Sequence, residues 1–404
     1  RRRMRDGRAA GLASGASRIH AVSDIHTDYA LNMDWARSLA SEPAYRRDVL
    51  LLAGDVSDKL DIFQETLAVL AGSFGAVFFV PGNHDLWCRR DGSDGADSLD
   101  KLRRLDEICS DLGVLTTPQR VAMADGGCVS ILPLLSFHHS SFDTEPDVTG
   151  LRLPSARAIV SDYKATRWPE ALVCGEVALA QWLDDENDTL PGARATAQAQ
   201  GRSGIEPLLS YGEARDGGAH LISFSHFLPR IELIPEKRFL IYPPLMSAVG
   251  SDPLGRRMAS VRPDVHVFGH THFGWDAAID GVRYVQAALA TPSERAGRPG
   301  SLQVGEAPVG VDGAAMPLRL YDSDAGGFCA PHMASWSEYY ASNPRTPAVT
   351  EPAPWVLAHY RRRAPHRLRA AGGARSGQGK LGGWGEAGRT AVIGGCQERE
   401  GGAR

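Results

Sequence analysis

Apolar runs of strand length recur along this 404-residue chain, and each is followed at once by polar, chemically capable residues. Residues 18–23 (Arg-Ile-His-Ala-Val-Ser), 49–53 (Val-Leu-Leu-Leu-Ala) and 76–80 (Ala-Val-Phe-Phe-Val) predict three early strands. Residues 221–225 and 265–268 repeat the pattern much later, and 128–135 predicts another buried strand. Between the early runs the apolar period becomes helical. Leu31, Trp35 and Leu39 mark one face, and Leu60, Phe63, Leu67 and Leu70 mark a second, with Gly72 as its expected stop. Leu99, Leu102, Leu105, Ile108 and Leu112 mark a third that ends at Gly113. These stripes are core faces, and strand–helix alternation followed by paired strands predicts a layered α/β fold.

Residues 140–219 break the alternation and are expected to form an insertion. It starts with a Pro- and Asp-punctuated loop over 143–167. An amphipathic helix follows over 169–185, carrying Leu172, Val173, Val177, Leu179 and Leu183, then a mobile Ala-, Gln-, Gly- and Arg-rich surface segment over 191–218. Asp280-Gly281 between two apolar runs predicts a type I′ hairpin. Residues 318–321 offer one more strand, but periodicity fades after 292. The expected organisation is a disordered segment 1–17, one domain 18–330, and a low-complexity, disordered tail 331–404.

Five short motifs follow the strand-like runs. They are Asp24-Ile25-His26, Gly54-Asp55-Val56-Ser57-Asp58, Gly82-Asn83-His84-Asp85, the single His226, and Gly269-His270-Thr271-His272. Their polar members are mainly Asp, His and Asn, so they offer oxygen and imidazole nitrogen without thiolate. That donor set suits Mn, Fe or Zn used for hydrolysis rather than a structural zinc. In open α/β sheets ligands gather outside the carboxyl ends of strands, which would bring the motifs to one crevice. Two such ions form a clamp for displacement at phosphorus.

These motifs resemble the calcineurin-like metallophosphoesterase superfamily over residues 18–290. The resemblance implies a four-layer α/β/β/α sandwich of two mixed sheets. It places Asp24, His26, Asp55 and His272 around one metal and Asp55, Asn83, His226 and His270 around a second, with Asp55 bridging. Two divalent or trivalent transition-metal ions (Mn, Fe or Zn) would be the cofactors, and a water or hydroxide held between them the nucleophile. His84 would lie outside the metal shells and assist the leaving group, with Asp58 orienting its ring. Asp58 is followed by Lys59-Leu60 rather than Arg-Gly, and the third motif ends in Asp85 rather than Glu, which separates this chain from the serine/threonine phosphatases. The purple acid phosphatases carry a ligating Tyr where Asp58 stands. The implied activity is phosphoester hydrolysis on a small-molecule or nucleotide substrate. Cyclic-nucleotide phosphodiesterase or nucleotide pyrophosphohydrolase is the alternative, and a protein-binding scaffold of the same fold is the non-enzyme rival.

Bulk properties change this little. Hydrophobic content of 43% and charged content of 23% are ordinary for a globular protein. A net charge of -4 carries no nucleic-acid signal. The cysteines at 88, 109, 128, 174, 329 and 396 form no Cys-x-x-Cys pair and predict reduced thiols in the cytoplasm. The Arg-rich residues 1–18 leave an organellar leader as the alternative. No apolar stretch reaches membrane-spanning length. The oligomeric state has no signature in the chain. Around the motifs, Asp28, Tyr29, Trp87, Arg89, His138, His139, Phe227, Arg230 and Trp275 are candidate pocket residues. His138 and His139 are expected to face opposite ways if that stretch is extended.

Overall fold

The computed structural model describes residues 12, 14–88, 95–189, 203–208, 211–305 and 316–371. In chain order the strands are β1 (Arg18–Val22), β2 (Val49–Ala53), β3 (Ala76–Val80), β4 (Gln119–Ala122), β5 (Cys128–Pro133), β6 (Ile205–Pro207), β7 (His220–Phe224), β8 (Val265–Val267), β9 (Trp275–Ile279), β10 (Val282–Gln286), β11 (Leu318–Asp322) and β12 (Gly327–Phe328). They form a five-stranded sheet, β12-β11-β1-β2-β3, and a seven-stranded sheet, β6-β4-β5-β7-β8-β10-β9. Both are mixed. β1, β2 and β3 are parallel while β11 is antiparallel to β1. β5, β7, β8 and β10 are parallel, with antiparallel strands at either side.

Side-chain alternation divides the layers. Ile19, Leu51, Phe78 and Val80 pack between the sheets onto Ile131, Ile222, Phe224 and Val267. The intervening residues Leu50, Leu52, Val77 and Phe79 face the first three helices, which explains why β2 and β3 are continuously apolar. Those helices are α1 (Ala30–Leu39), α2 (Leu60–Ser73) and α3 (Ser98–Leu112), and they bury Trp35, Leu39, Phe63, Leu67, Leu70 and Leu105 there. Beyond the second sheet, Leu254 and Met258 of the Asp252–Val261 helix pack on Leu134. The order is helix, sheet, sheet, helix, the sandwich implied by the sequence.

Local signals are met unevenly. Gly113 adopts φ 71 and ends α3 as expected. Asp280 and Gly281, at φ 51 and 81, make the tight turn joining β9 to β10. Gly72 does not end α2, because its side faces open space and the helix runs on until Phe74 turns extended and buries its ring.

Four expectations of disorder or boundary need correction. The helix of the insertion spans Val177–Thr189, and the preceding loop folds into single turns at Ala156–Ile159 and Asp162–Ala165. Within the segment expected to be mobile, β6 pairs with β4 and buries Ile205, and Tyr211–Gly218 is a 3-10 stretch. Residues 190–202 lie outside the described residues. The segment expected to be a disordered start contains Ala16, which is fully buried and bridges Met123. The segment expected to be a disordered tail contains helices Ser335–Ser342 and Pro354–Ala371. Trp336 and Val356 are buried there with Phe239, Phe273 and Trp275 in a third core cluster. A few large apolar side chains suffice to dock these segments, and windowed composition dilutes them. Residues 372–404 lie outside the described residues. No described helix is long and apolar enough to cross a membrane.

Candidate metal centre

The loops after β1, β2, β3, β7 and β8 converge through their backbones. Asp24 donates its N–H to the Gly54 carbonyl at 3.0 Å, and Gly269 donates to that of His226 at 2.9 Å. His270 donates its backbone N–H to Asp24 Oδ1 at 2.9 Å. The turns needed for this are strained. Among the described residues eight non-glycines have positive φ, and five of them are Asp24, His26, Asp55, His270 and His272. Such a conformation costs on the order of 1–3 kcal/mol per residue and persists only where surrounding contacts enforce it. Asp85 is one enforcer. Its carboxylate accepts N–H groups from Asp55, Val56, Ser57 and Gly82 at 2.8–3.1 Å, which locks the second motif onto the third. Gly82 is another, since a Cβ there would lie 2.2 Å from Asp55 Oδ1.

Two groups of acceptor atoms result. In the first, His26 Nε2 lies 3.1 Å from His272 Nε2, and His272 Nε2 lies 3.2 Å from Asp24 Oδ1. Asp24, His26, Asp55 and His272 each direct a ligating atom into this space, all within 4.8 Å of one another. In the second, Asn83 Oδ1 faces His226 Nε2 at 3.0 Å and His270 Nδ1 at 2.9 Å. Asp55 stands between them, with Oδ1 3.5 Å from His226 Nε2 and Oδ2 3.9 Å from His26 Nε2.

Ring protons in both groups are already committed to neighbouring oxygens. His226 donates Nδ1–H to the Ala53 carbonyl, and His270 donates Nε2–H to that of Ala248. Asn83 donates Nδ2–H to Asp162. The atoms meeting at Asn83 Oδ1 are therefore three lone pairs. Burial pushes the His270 pKa down to about 3 and lowers that of His226, so neither ring supplies the missing proton. A cation satisfies all three. In the first group His272 donates Nδ1–H to Glu294 Oε2 at 2.8 Å. Burial opposes charge on His272, but Glu294 and Asp24 outweigh it and raise the pKa to about 10. Burial, then His272, pushes His26 down to about 3. Asp55 is held well above the usual carboxylate range by burial and by the charges of Asp24 and Asp85. Stacked buried carboxylates of this kind ionise together only beside positive charge. The nitrogen and oxygen donors fit transition-metal ions.

His84 lies at the rim. Its backbone N–H binds Asp55 Oδ1 at 2.9 Å, while its ring stacks on Trp87 at 3.6 Å with Nε2 3.9 Å from Asp55 Oδ2. The Asp58 carboxyl, expected to orient that ring, is turned to Asp28, and burial followed by the Asp28 charge raises its pKa. Asp28 also accepts from Ser57 Oγ at 2.8 Å.

Other sequence candidates separate clearly. Phe227 and Trp275 are buried packing rings, Phe227 against His226 and His270, and Trp275 against Tyr340. Arg230 is bound by Glu232 and Asp280. Tyr29 precedes the first turn of α1. His138 and His139 do diverge: His138 meets Asp162 and His139 meets Ser141 and the Asp252 N–H. Arg89 lies outside the described residues. The sequence reading missed Glu294 and Asp162, which hold His272 and Asn83. Glu294 had a local sign, because Thr291-Pro292-Ser293-Glu294 spells a capping box and forms one. Asp162 had none.

The calcineurin-like phosphoesterase family profile matches residues 17–274. The acyl-carrier-protein phosphodiesterase PptH of Mycobacterium tuberculosis is 25% identical over 281 residues, covering 68% of this chain and 78% of that protein. The crystal structure of the phosphopantetheinyl hydrolase PptH from the same organism aligns with TM-score 0.46 and 22% identity, over 70% of this chain and 93% of the other. A crystal structure from Thermus thermophilus aligns with TM-score 0.36 and 12% identity, over 68% of this chain and 89% of the other.

Proposed function

This chain belongs to the calcineurin-like phosphoesterase family and is a phosphoester hydrolase, and from that premise we propose that it cleaves a phosphodiester at a pair of transition-metal ions. The observation that carries the proposal is Asp55, which turns one carboxylate oxygen toward each of two groups of metal-capable oxygen and nitrogen atoms. Asp24, His26 and His272 would hold the first ion and Asn83, His226 and His270 the second. Bound there, such ions supply Lewis acidity and lower the pKa of a water toward about 7. Asp55 would supply the anionic bridge that offsets repulsion between the cations, and Asn83 would contribute a neutral oxygen, which limits the negative charge of the site. His84, at the exposed rim, faces the substrate and donates a proton to the departing oxygen or stabilises its charge. Trp87 supports the His84 ring by stacking.

The diester preference is taken from the name of the mycobacterial relative, so a carrier protein bearing a phosphopantetheine diester is the first natural substrate to assay. The test loads the protein with manganese and compares an aryl phosphodiester, an aryl phosphomonoester, holo acyl carrier protein and cyclic nucleotides. Expected results are manganese-dependent diester cleavage and two ions per chain by elemental analysis, both lost in Asp55→Ala. Full metal content in that variant would remove Asp55 from the bridge. Faster monoester than diester turnover would sink the diester assignment.

A further inference from the structure

Asp162 comes from the insertion, 79 positions from Asn83, yet its side chain is fully buried against the third motif. A buried carboxylate must be matched by donors. Asn83 Nδ2 donates to Asp162 Oδ1 at 2.8 Å, and Trp87 Nε1 donates to the same oxygen at 2.7 Å. The other oxygen lies 3.2 Å from Nε2 of the equally buried His138. Rings of Phe137, Tyr163 and Phe227 enclose that histidine.

The chemistry of the two donors gives this arrangement a consequence. The Asn83 amide has one accepting end and one donating end, and turning it over exchanges them. A carboxylate accepts only, so it selects the turn in which NH₂ faces Asp162. The carbonyl oxygen is then left facing His226 and His270. Reversed, the NH₂ would fill the point where the lone pairs meet and exclude a cation. Trp87 is donor-only at Nε1, so the bond to Asp162 also fixes the ring on which His84 stacks.

We propose that Asp162, buried beside His138, is a positioning residue that sets the Asn83 carbonyl toward the second metal ion and, through Trp87, sets the attitude of His84. The proposal rests on the two-ion reading above. It makes the insertion part of the active centre without touching substrate or metal.

The test measures metal affinity apart from turnover. Asp162→Ala and Asp162→Leu both remove the acceptor, and the leucine fills the volume so that a folded variant is in hand. Asp162→Asn is the conservative variant, because its amide oxygen can still accept from both donors. Each is titrated with manganese by calorimetry, with electron paramagnetic resonance to distinguish a coupled pair from a lone ion. Expected is a first ion bound as in the wild type and a second bound about 10–100-fold more weakly, the usual effect of removing an outer partner of a ligand. Excess manganese should recover the coupled pair, and Asp162→Asn should stay close to wild type. Unchanged affinity for the second ion in Ala and Leu variants would overturn the proposal while leaving the two-ion reading intact. Equal weakening of both ions would also overturn it, by marking general loosening. A wild-type protein that binds fewer than two ions would remove the two-ion reading and this proposal with it.

Discussion

At the scale of single residues, His84 and Asp58 make opposite predictions. His84 is at the rim, outside both acceptor groups, so His84→Ala should retain metal and lose turnover. General acid assistance is worth about 10²–10⁴-fold, and the loss should shrink for substrates with acidic leaving groups. Kinetics on two aryl diesters of well-separated leaving-group pKa decides this. Equal losses on both would assign His84 to charge stabilisation alone. Asp58 faces Asp28 instead of His84, so Asp58→Asn should leave the rate and its pH profile nearly unchanged. A parallel drop in the two variants would instead assign Asp58 the orienting role.

At the scale of elements, the turn Pro292–Gly297 does more than follow the last motif. Glu294 closes the capping box at Thr291, accepts Nδ1–H from His272 and binds Arg298 at 2.6 Å. Glu294→Ala should weaken the first ion about 10–100-fold, and loss of the cap alone should cost on the order of 1 kcal/mol. A metal titration paired with a thermal melt separates the two effects, and unchanged metal binding would confine Glu294 to capping. The contrast with the strands shows what a sequence can reveal. β1, β2, β3, β7 and β8 were legible because each is a largely apolar, strand-length run followed within three residues by a candidate ligand. The candidate ligands Asp24, Asp55, Asn83, His226, His270 and His272 were legible with them, and the structure brings their side chains to one place. Asp162 was illegible because its partners are Asn83, Trp87 and His138, and no local period encodes a contact of that range.

At the scale of the whole molecule, the chain after residue 330 belongs to the folded unit. Trp336 packs against Phe239 and Phe273, and Val356 is fully buried in the same cluster. The Arg345 guanidinium ties this arm to Glu145 and donates to the carbonyl of Ile234 at 2.6 Å. Truncation after residue 330 should therefore lower the melting temperature sharply, and Trp336→Ala alone should cost about 3–5 kcal/mol. A truncated protein melting like the full chain would show that the arm contributes no stability.

The placement of β11 also dictates an order of events. Arg18 of β1 pairs with Asp322 of β11, 304 positions later, and β11 covers the side of β1 that β2 leaves open. On a ribosome adding about 5–20 residues per second, the interval between the two strands is on the order of 15–60 s. Throughout it the first sheet holds three parallel strands with a bare row of amide and carbonyl groups along β1, the kind of edge that recruits other chains. Nascent chains arrested before residue 318 should therefore be captured by a strand-binding chaperone or aggregate, while chains extended past residue 328 should escape. If both lengths behave alike in a crosslinking experiment on stalled ribosomes, β1 is shielded by something other than its final neighbour.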